Sequence, residues 1–206
     1  MPTAPEHPAV QRVIDAAARK GVTLGVTTVP ASTHTAQDAA AAVGAALGQI
    51  VKSLVFVAVA DDGTPDPVLC LVSGANRVDL GRLAAVTGKP EIRRATAREA
   101  SELTGFSIGG IPPIGHVRPL RVIMDPDLGR YPTVWAAAGT DSVVFPVTPA
   151  TLRMISNAVV SPISDESIED RLDAVEHVGI GEDPDLRDDR GGPGLPGTTP
   201  APNLGL

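Results

Sequence analysis

Short helices interleaved with β-branched runs predict an α/β (α+β) fold, a single domain with a mixed β-sheet flanked by helices. Three observations carry that expectation. An almost continuously apolar run at 50–60 is followed by Asp61-Asp62-Gly63 and a second such run at 67–72, the pattern of a buried hairpin. Elsewhere apolar residues recur at helical spacing, in groups opened by a capping residue or closed by glycine. The chain has 206 residues, 43% of them apolar, enough to bury a core of its own.

The elements follow in order. Along residues 8–20, Val10, Val13, Ile14 and Ala17 share a helical face, and Gly21 supplies a stop. The β-branched stretch 22–29 predicts a strand ending at Pro30. Thr35 then caps an alanine-rich helix over 36–47, with Asp38 complementing its positive end. After the hairpin strands, Asp79 opens a short helix that stops near Gly88, a brief strand is expected at 91–94, and Thr96 caps a helix over 96–103. Residues 105–119 break the pattern, because Gly105, Gly109, Gly110, Pro112, Pro113 and Gly115 suit neither a helix nor a central strand. Strands are expected at 120–124, 133–138 and 142–147, and Thr148-Pro149 caps a last helix through Leu152, Met154 and Ile155.

Charge divides the chain. Residues 1–160 hold 14 Lys+Arg against 13 Asp+Glu, whereas residues 161–206 hold 3 against 11. The expected organisation is one domain over 1–160, an acidic helical extension over 161–178, and a disordered Gly/Pro/Asp-rich tail over 179–206. A nearly neutral body argues against broad binding of duplex DNA, and aromatics at 2% leave no base-stacking platform, so any RNA contact should be local. No apolar run approaches the roughly 20 residues of a membrane span. The single cysteine, Cys70, excludes an internal disulfide, no secretory signal is visible, and a cytoplasmic location is expected, with neither membrane nor DNA as partner.

Lys52 is the most informative side chain, since it interrupts Ile50-Val51-Lys52-Ser53-Leu54-Val55-Phe56, a strand that otherwise reads as buried on both faces. A charged amine there either snorkels to solvent from the strand's beginning or faces an anion in a pocket. The run Gly105-Phe106-Ser107-Ile108-Gly109-Gly110-Ile111-Pro112-Pro113-Ile114-Gly115-His116 has two readings as well. It is a structural turn, or a stiffened loop whose free main-chain groups recognise a polar ligand. Gly139-Thr140-Asp141-Ser142 offers a carboxylate and hydroxyls at a strand connection, which is also ordinary turn chemistry. His34 and His116 lack metal-ligand spacing, so no metal is expected; Cys70 reads as a core residue. Nucleophile-elbow, Walker and dinucleotide motifs are missing, and no cofactor is expected.

Thr35-Ala36-Gln37-Asp38-Ala39-Ala40, then Ile50 to Phe56, then Gly109-Gly110-Ile111-Pro112-Pro113-Ile114-Gly115 follow one another in an order and spacing that resembles the YbaK/prolyl-tRNA synthetase editing-domain family of aminoacyl-tRNA deacylases. The similarity spans about residues 8–160. It implies one α/β domain with a mixed, curved sheet. It also implies hydrolysis of the ester joining a mischarged amino acid to the 3′ CCA end of tRNA, performed in trans because no synthetase domains accompany it, with an aminoacyl-tRNA synthetase as a further partner. Lys52 matches the family lysine and would contact the terminal phosphate or ribose. Gly109 and Pro113 match the ends of the family's Gly-x-x-x-Pro loop, whose backbone would hold the aminoacyl group and polarise its carbonyl; with Lys52 they are the expected catalytic residues. Thr35, Gly110, Ile111, Pro112, Gly115, His116 and Asp141 are the expected substrate-binding residues. The sequence departs from the family where some members carry an aspartate: Val144 stands there, with Asp141 three residues earlier. Ser53 stands where threonine is common, and His116 where some relatives have glutamine. A non-catalytic module binding an amino acid or nucleotide, and a hydrolase of small esters, are the competing readings.

Overall fold

In the computed structural model, residues 7–30, 35–59 and 63–165 are described. The elements run α1 (Pro8–Ala18), β1 (Thr27–Thr28), α2 (Ala36–Val43), β2 (Val51–Val59), β3 (Pro65–Ser73), α3 (Leu80–Thr87), β4 (Ile92–Arg94), α4 (Ala97–Thr104), β5 (Arg121–Met124), β6 (Val134–Thr140), β7 (Val143–Val147), α5 (Pro149–Ser156) and β8 (Val159–Val160). Short 3-10 helices precede β2 (Leu47–Gln49) and β6 (Pro126–Arg130). The capping residues read from sequence act as caps. Thr35, Asp79, Thr96 and Thr148 each accept a hydrogen bond from a main-chain N–H in the first turn of the helix that follows.

The hairpin of β2 and β3 pairs antiparallel over its whole length, Val51 opposite Ser73 and Val59 opposite Pro65. It is the middle of a five-stranded sheet in the order β4-β2-β3-β5-β8, in which β3/β5 and β5/β8 are parallel. A second sheet has the order β1-β7-β6 and is antiparallel. The mixed sheet is therefore divided in two, and the halves touch through one parallel bridge between Ile50 and Trp135. That junction positions the site.

Hydrophobic burial explains why β2 and β3 read as unbroken apolar runs. One face carries Val51, Val55, Leu69 and Leu71 into a cluster with Val10 and Val13 of α1, Phe145 of β7 and Leu152 of α5. The other face carries Phe56, Val68, Cys70 and Val72 into a second cluster with Leu83, Ile123 and Ile163. Each fully buried large side chain contributes about 1.5–3 kcal/mol. Cys70 is a core residue as expected; burial first, and the neighbouring Asp125 carboxylate second, push its thiol up to about 12.

Three elements differ from the sequence reading. Of the strand expected over 22–29, only Thr27–Thr28 pairs with β7, opposite Val144 and Val143. Continuing that register would set Gly25 opposite Pro146, which has no N–H to give. The helix expected to reach residue 47 ends at Val43, where Gly44 takes a left-handed conformation with φ 66°. After α5 the chain adds β8, and the buried Asp125 carboxylate accepts from the N–H groups of Ile163 (3.1 Å) and Ser164 (3.0 Å). Packed chain thus continues past residue 160, to Asp165. Beyond it, the expected acidic helix and the 179–206 tail lie outside the described residues. Among the described residues no helix is long and apolar enough to cross a membrane.

Candidate active site

β4 pairs only with Phe56–Ala58 of β2. The preceding stretch of β2 borders a cavity of about 430 Å³ where the two sheets meet. Residues 50–55 line it along this side, Trp135, Ala137 and Val144 come from the other sheet, and Thr35, Ala36 and Ala39 come from the start of α2. The small alanine side chains let α2 approach. Its first turn is fixed by a capping box, in which Thr35 Oγ1 accepts from the Asp38 N–H (3.1 Å) and the Thr35 N–H donates to Asp38 Oδ2 (3.0 Å).

Lys52 is half-buried on the β2 face that also carries Leu54 and Phe56. Its ammonium donates to the carbonyls of Gly74 (3.0 Å) and Asn76, in the turn after β3. Those carbonyls favour the charged amine. Burial opposes it, with Arg77 and Arg94 pressing in the same direction, so the Lys52 pKa lies below its usual 10.5. Arg94 also lines the cavity. Among the described residues neither arginine has a carboxylate partner. This corner concentrates positive charge at Lys52, Arg77 and Arg94.

The loop after α4 closes the opposite side. Gly109 has φ 91°, a conformation that side-chain-bearing residues rarely adopt. Gly110 lies against β6 so closely that a Cβ there would come within 2.7 Å of the Thr140 main chain. These two glycines let the loop turn in and seat against Thr140 and Asp141. Ile108, Gly109 and Ile111 reach the cavity wall. Among the described residues no carbonyl accepts from the N–H of Gly109 or Ile111, whereas the Gly110 N–H donates to Ser107 O (3.1 Å).

The second half of the loop is an anchor. Pro112, Pro113 and Ile114 are buried, and Gly115 packs against the α1 backbone at Arg12 and Val13. His116 Nε2 donates to Pro112 O (2.8 Å), and its ring meets Phe106 edge-on at 6.1 Å. Burial, with a smaller contribution from Arg12, holds the His116 pKa below 6.5 against the opposing pull of the Pro112 carbonyl. Arg12 clamps the start of the loop: its Nη2 donates to Gly105 O (2.6 Å) and its guanidinium stacks 3.9 Å from the Phe106 ring centre.

Of the residues singled out from sequence, Thr35, Lys52, Gly109, Ile111 and Asp141 line this one cavity. Gly110 backs its wall, and Pro112, Pro113, Gly115 and His116 sit in the anchored half of the loop instead. Sequence reasoning passed over Arg94, Trp135 and Thr140 as cavity residues. Thr140 lay inside the motif already noticed, but Trp135 is brought in by the non-local bridge to Ile50. His34 lies outside the described residues. Among the described residues no group of His, Cys, Asp and Glu could hold a metal ion.

A family model for the aminoacyl-tRNA editing domain matches residues 30–155. The chain belongs to the aminoacyl-tRNA editing domain family. The match starts after α1, so the helix that supplies Arg12 precedes it. Over 131 residues this editing domain is 30% identical to the uncharacterized protein YwhH of Bacillus subtilis, covering 64% of the chain and 80% of that relative. Over 83 residues it is 36% identical to the multifunctional Ser/Thr-tRNA deacylase ProXp-y of Escherichia coli, covering 40% and 49%. A solved structure described as a "putative trans-editing enzyme for prolyl tRNA synthetase" superimposes with a TM-score of 0.71 at 48% identity, over 77% of this chain and 98% of the other. Relatives are thus named as tRNA deacylases, and the fold is that of an editing domain.

Proposed function

We propose that this protein is a trans-acting aminoacyl-tRNA deacylase, which hydrolyses the ester between a mischarged amino acid and the 3′ end of tRNA. The observation that carries the reading is one cavity bounded by Lys52 and Arg94, by Asp141, and by a loop whose Gly109 and Ile111 N–H groups have no carbonyl partner among the described residues. An aminoacyl-adenosine end has complementary parts: an anionic phosphate, a cationic α-ammonium, and an ester carbonyl between them. In the proposed pose Lys52 and Arg94 take the phosphate or ribose, and Asp141 takes the ammonium. The Gly109 and Ile111 N–H groups donate to the carbonyl oxygen, where negative charge develops as water adds.

The chemistry requires little else. Water oxygen bonds to the carbonyl carbon, the C–O bond to the 3′ oxygen breaks, and that oxygen leaves as the hydroxyl after taking a proton. An aminoacyl ester is already activated, so holding water and ester in line beside main-chain dipoles supplies much of the acceleration. A synthetase pocket separates amino acids that differ by one methylene by only about 1–3 kcal/mol, and a second hydrolytic site restores fidelity. In this reading the protein works in the cytoplasm beside a synthetase that misacylates.

A screen of the purified protein against a panel of mischarged tRNAs tests the proposal. Release of amino acid from at least one tRNA, inhibited by deacylated tRNA, is the expected result. Cleavage of small esters with no inhibition by tRNA, or saturable tRNA binding with no release, would overturn it in favour of an unrelated esterase or a binding module respectively.

A further inference from the structure

The direction of the Lys52 ammonium is set by its neighbours. An ammonium carries three N–H donors. Two of them go to the carbonyls of Gly74 and Asn76, and among the described residues no other group accepts from it. The donors of a tetrahedral group keep fixed mutual angles, so fixing two directions fixes the third. That remaining N–H is the one a ligand would meet in the cavity that Lys52 lines. Its aim is therefore decided by the main chain of the turn at 74–76.

The turn is fastened at both ends. At one, the Gly74 N–H donates to Ile50 O (2.7 Å), and a Cβ at Gly74 would lie 2.3 Å from Leu47 O. At the other, the Asp79 N–H donates to Ile163 O (2.8 Å) and the Asp165 N–H donates to Arg77 O (3.0 Å). Asn76 sits between these ties and is only 3% exposed. Its side chain supplies the middle tie, with Nδ2 donating to Asp127 Oδ2 (2.6 Å). Asp127 is itself held: its N–H donates to Asp125 Oδ1 (3.1 Å), and its Oδ1 pairs with Arg130 Nε (3.1 Å). A hydrogen bond to a carboxylate is among the stronger ones, and breaking it would leave a buried amide unmet, a cost the turn would relieve by moving.

We infer that Asn76, held by Asp127, is a positioning residue for Lys52: the pair orients the two carbonyls that aim the third N–H of the ammonium at the phosphate of the tRNA 3′ end. The inference rests on the proposed function, in which Lys52 takes that phosphate. A tie that served folding alone would affect tRNA binding equally whether or not position 52 carried an amine. A tie that aims the amine acts only when the amine is there, and the two cases separate in a double-mutant cycle.

The test measures binding of a fluorescein-labelled, unacylated RNA hairpin ending in single-stranded 3′-CCA to the full-length protein, by anisotropy at low salt, where phosphate contacts count most. Lys52→Met and Asn76→Ala should each weaken binding about tenfold, and the combined variant should bind within about twofold of Lys52→Met alone. Asp127→Ala should match Asn76→Ala, whereas Asp127→Asn, which keeps an oxygen for the Asn76 amide, should stay within about threefold of wild type. Where Asn76→Ala fails to fold, Asp127→Ala, at a half-buried position, makes the same comparison with Lys52→Met. Wild-type affinity in Asn76→Ala and Asp127→Ala, or losses that multiply in the combined variant, would overturn the inference alone. Wild-type affinity in Lys52→Met, or no binding by the wild-type protein, would overturn it together with the phosphate role of Lys52, while the panel of mischarged tRNAs still decides separately whether the protein is a deacylase.

Discussion

Lys52 combines two opposing demands. Two carbonyls hold its ammonium, while burial and the neighbouring arginines lower its pKa from 10.5. Between that lowered pKa and 10.5 the unfolded chain binds more protons than the folded one, so stability rises with pH across this window. Affinity for a phosphate runs the other way, because the anion needs the charged amine. Binding of a 3′-aminoacyl-adenosine phosphate analogue with a non-hydrolysable amide should therefore weaken with a midpoint below 10.5, and calorimetric titration in Lys52→Met should show no such transition; an unchanged pH profile in the variant would contradict the assignment. His116 supplies a second titration. Its folded pKa lies below 6.5, so the stability it permits is present above that value and is lost as pH falls from 6.5 through the folded pKa. The melting temperature of the wild-type protein should fall more steeply between pH 7 and pH 5 than that of His116→Gln, which keeps a donor for Pro112 O. Parallel profiles would show that His116 does not titrate as described. Lys52 was legible from sequence because a charge interrupting an apolar strand demands a reason. Arg94 was not, because its nearness to Lys52 follows from the register that sets it opposite Phe56.

The loop between α4 and β5 works as an element with two halves, one presented to the cavity and one locked beneath α1. Its tolerance to change should follow that division. Gly110→Ala would drive a methyl into the Thr140 main chain, which cannot move without disturbing β6, at a cost of about 1–3 kcal/mol. Gly129→Ala meets nothing within 4 Å and should change stability by less than about 1 kcal/mol. Urea unfolding of the two variants gives the comparison, and equal midpoints would refute the packing described for the loop. Local chemistry made most elements legible: the capping residues, the hairpin turn and the Gly/Pro density each act within a few residues of themselves. β1 and β8 were misjudged or missed because pairing at a distance decides them, Pro146 limiting the one and the Asp125 carboxylate fastening the chain after the other.

At the scale of the molecule, the proposed function depends on the cavity where two sheets meet. The sequence pattern predicted a mixed sheet with helices, yet its division at the Ile50–Trp135 bridge has no local signature, and neither has the cavity that results. Charge distribution was readable throughout. With 14 basic and 13 acidic residues in 1–160, the proposed function requires that tRNA affinity come from few contacts, for which Lys52 and Arg94 at the cavity and the nearby Arg77 are the candidates. The plot of log K against log salt should then have a shallow slope, about −2 for three single-strand phosphate contacts, and Arg94→Gln should flatten it further. A slope steeper than about −5 by fluorescence anisotropy would mean that a wider surface binds tRNA. The central claim is that Lys52 and the Gly109 loop act on one ester in one cavity, and the most direct measurement is the single-turnover rate of deacylation by Lys52→Ala on a mischarged tRNA that the wild-type protein cleaves, with melting temperature recorded in parallel. The account predicts a loss of at least about 100-fold with the fold intact; a rate within about twofold of wild type would contradict it.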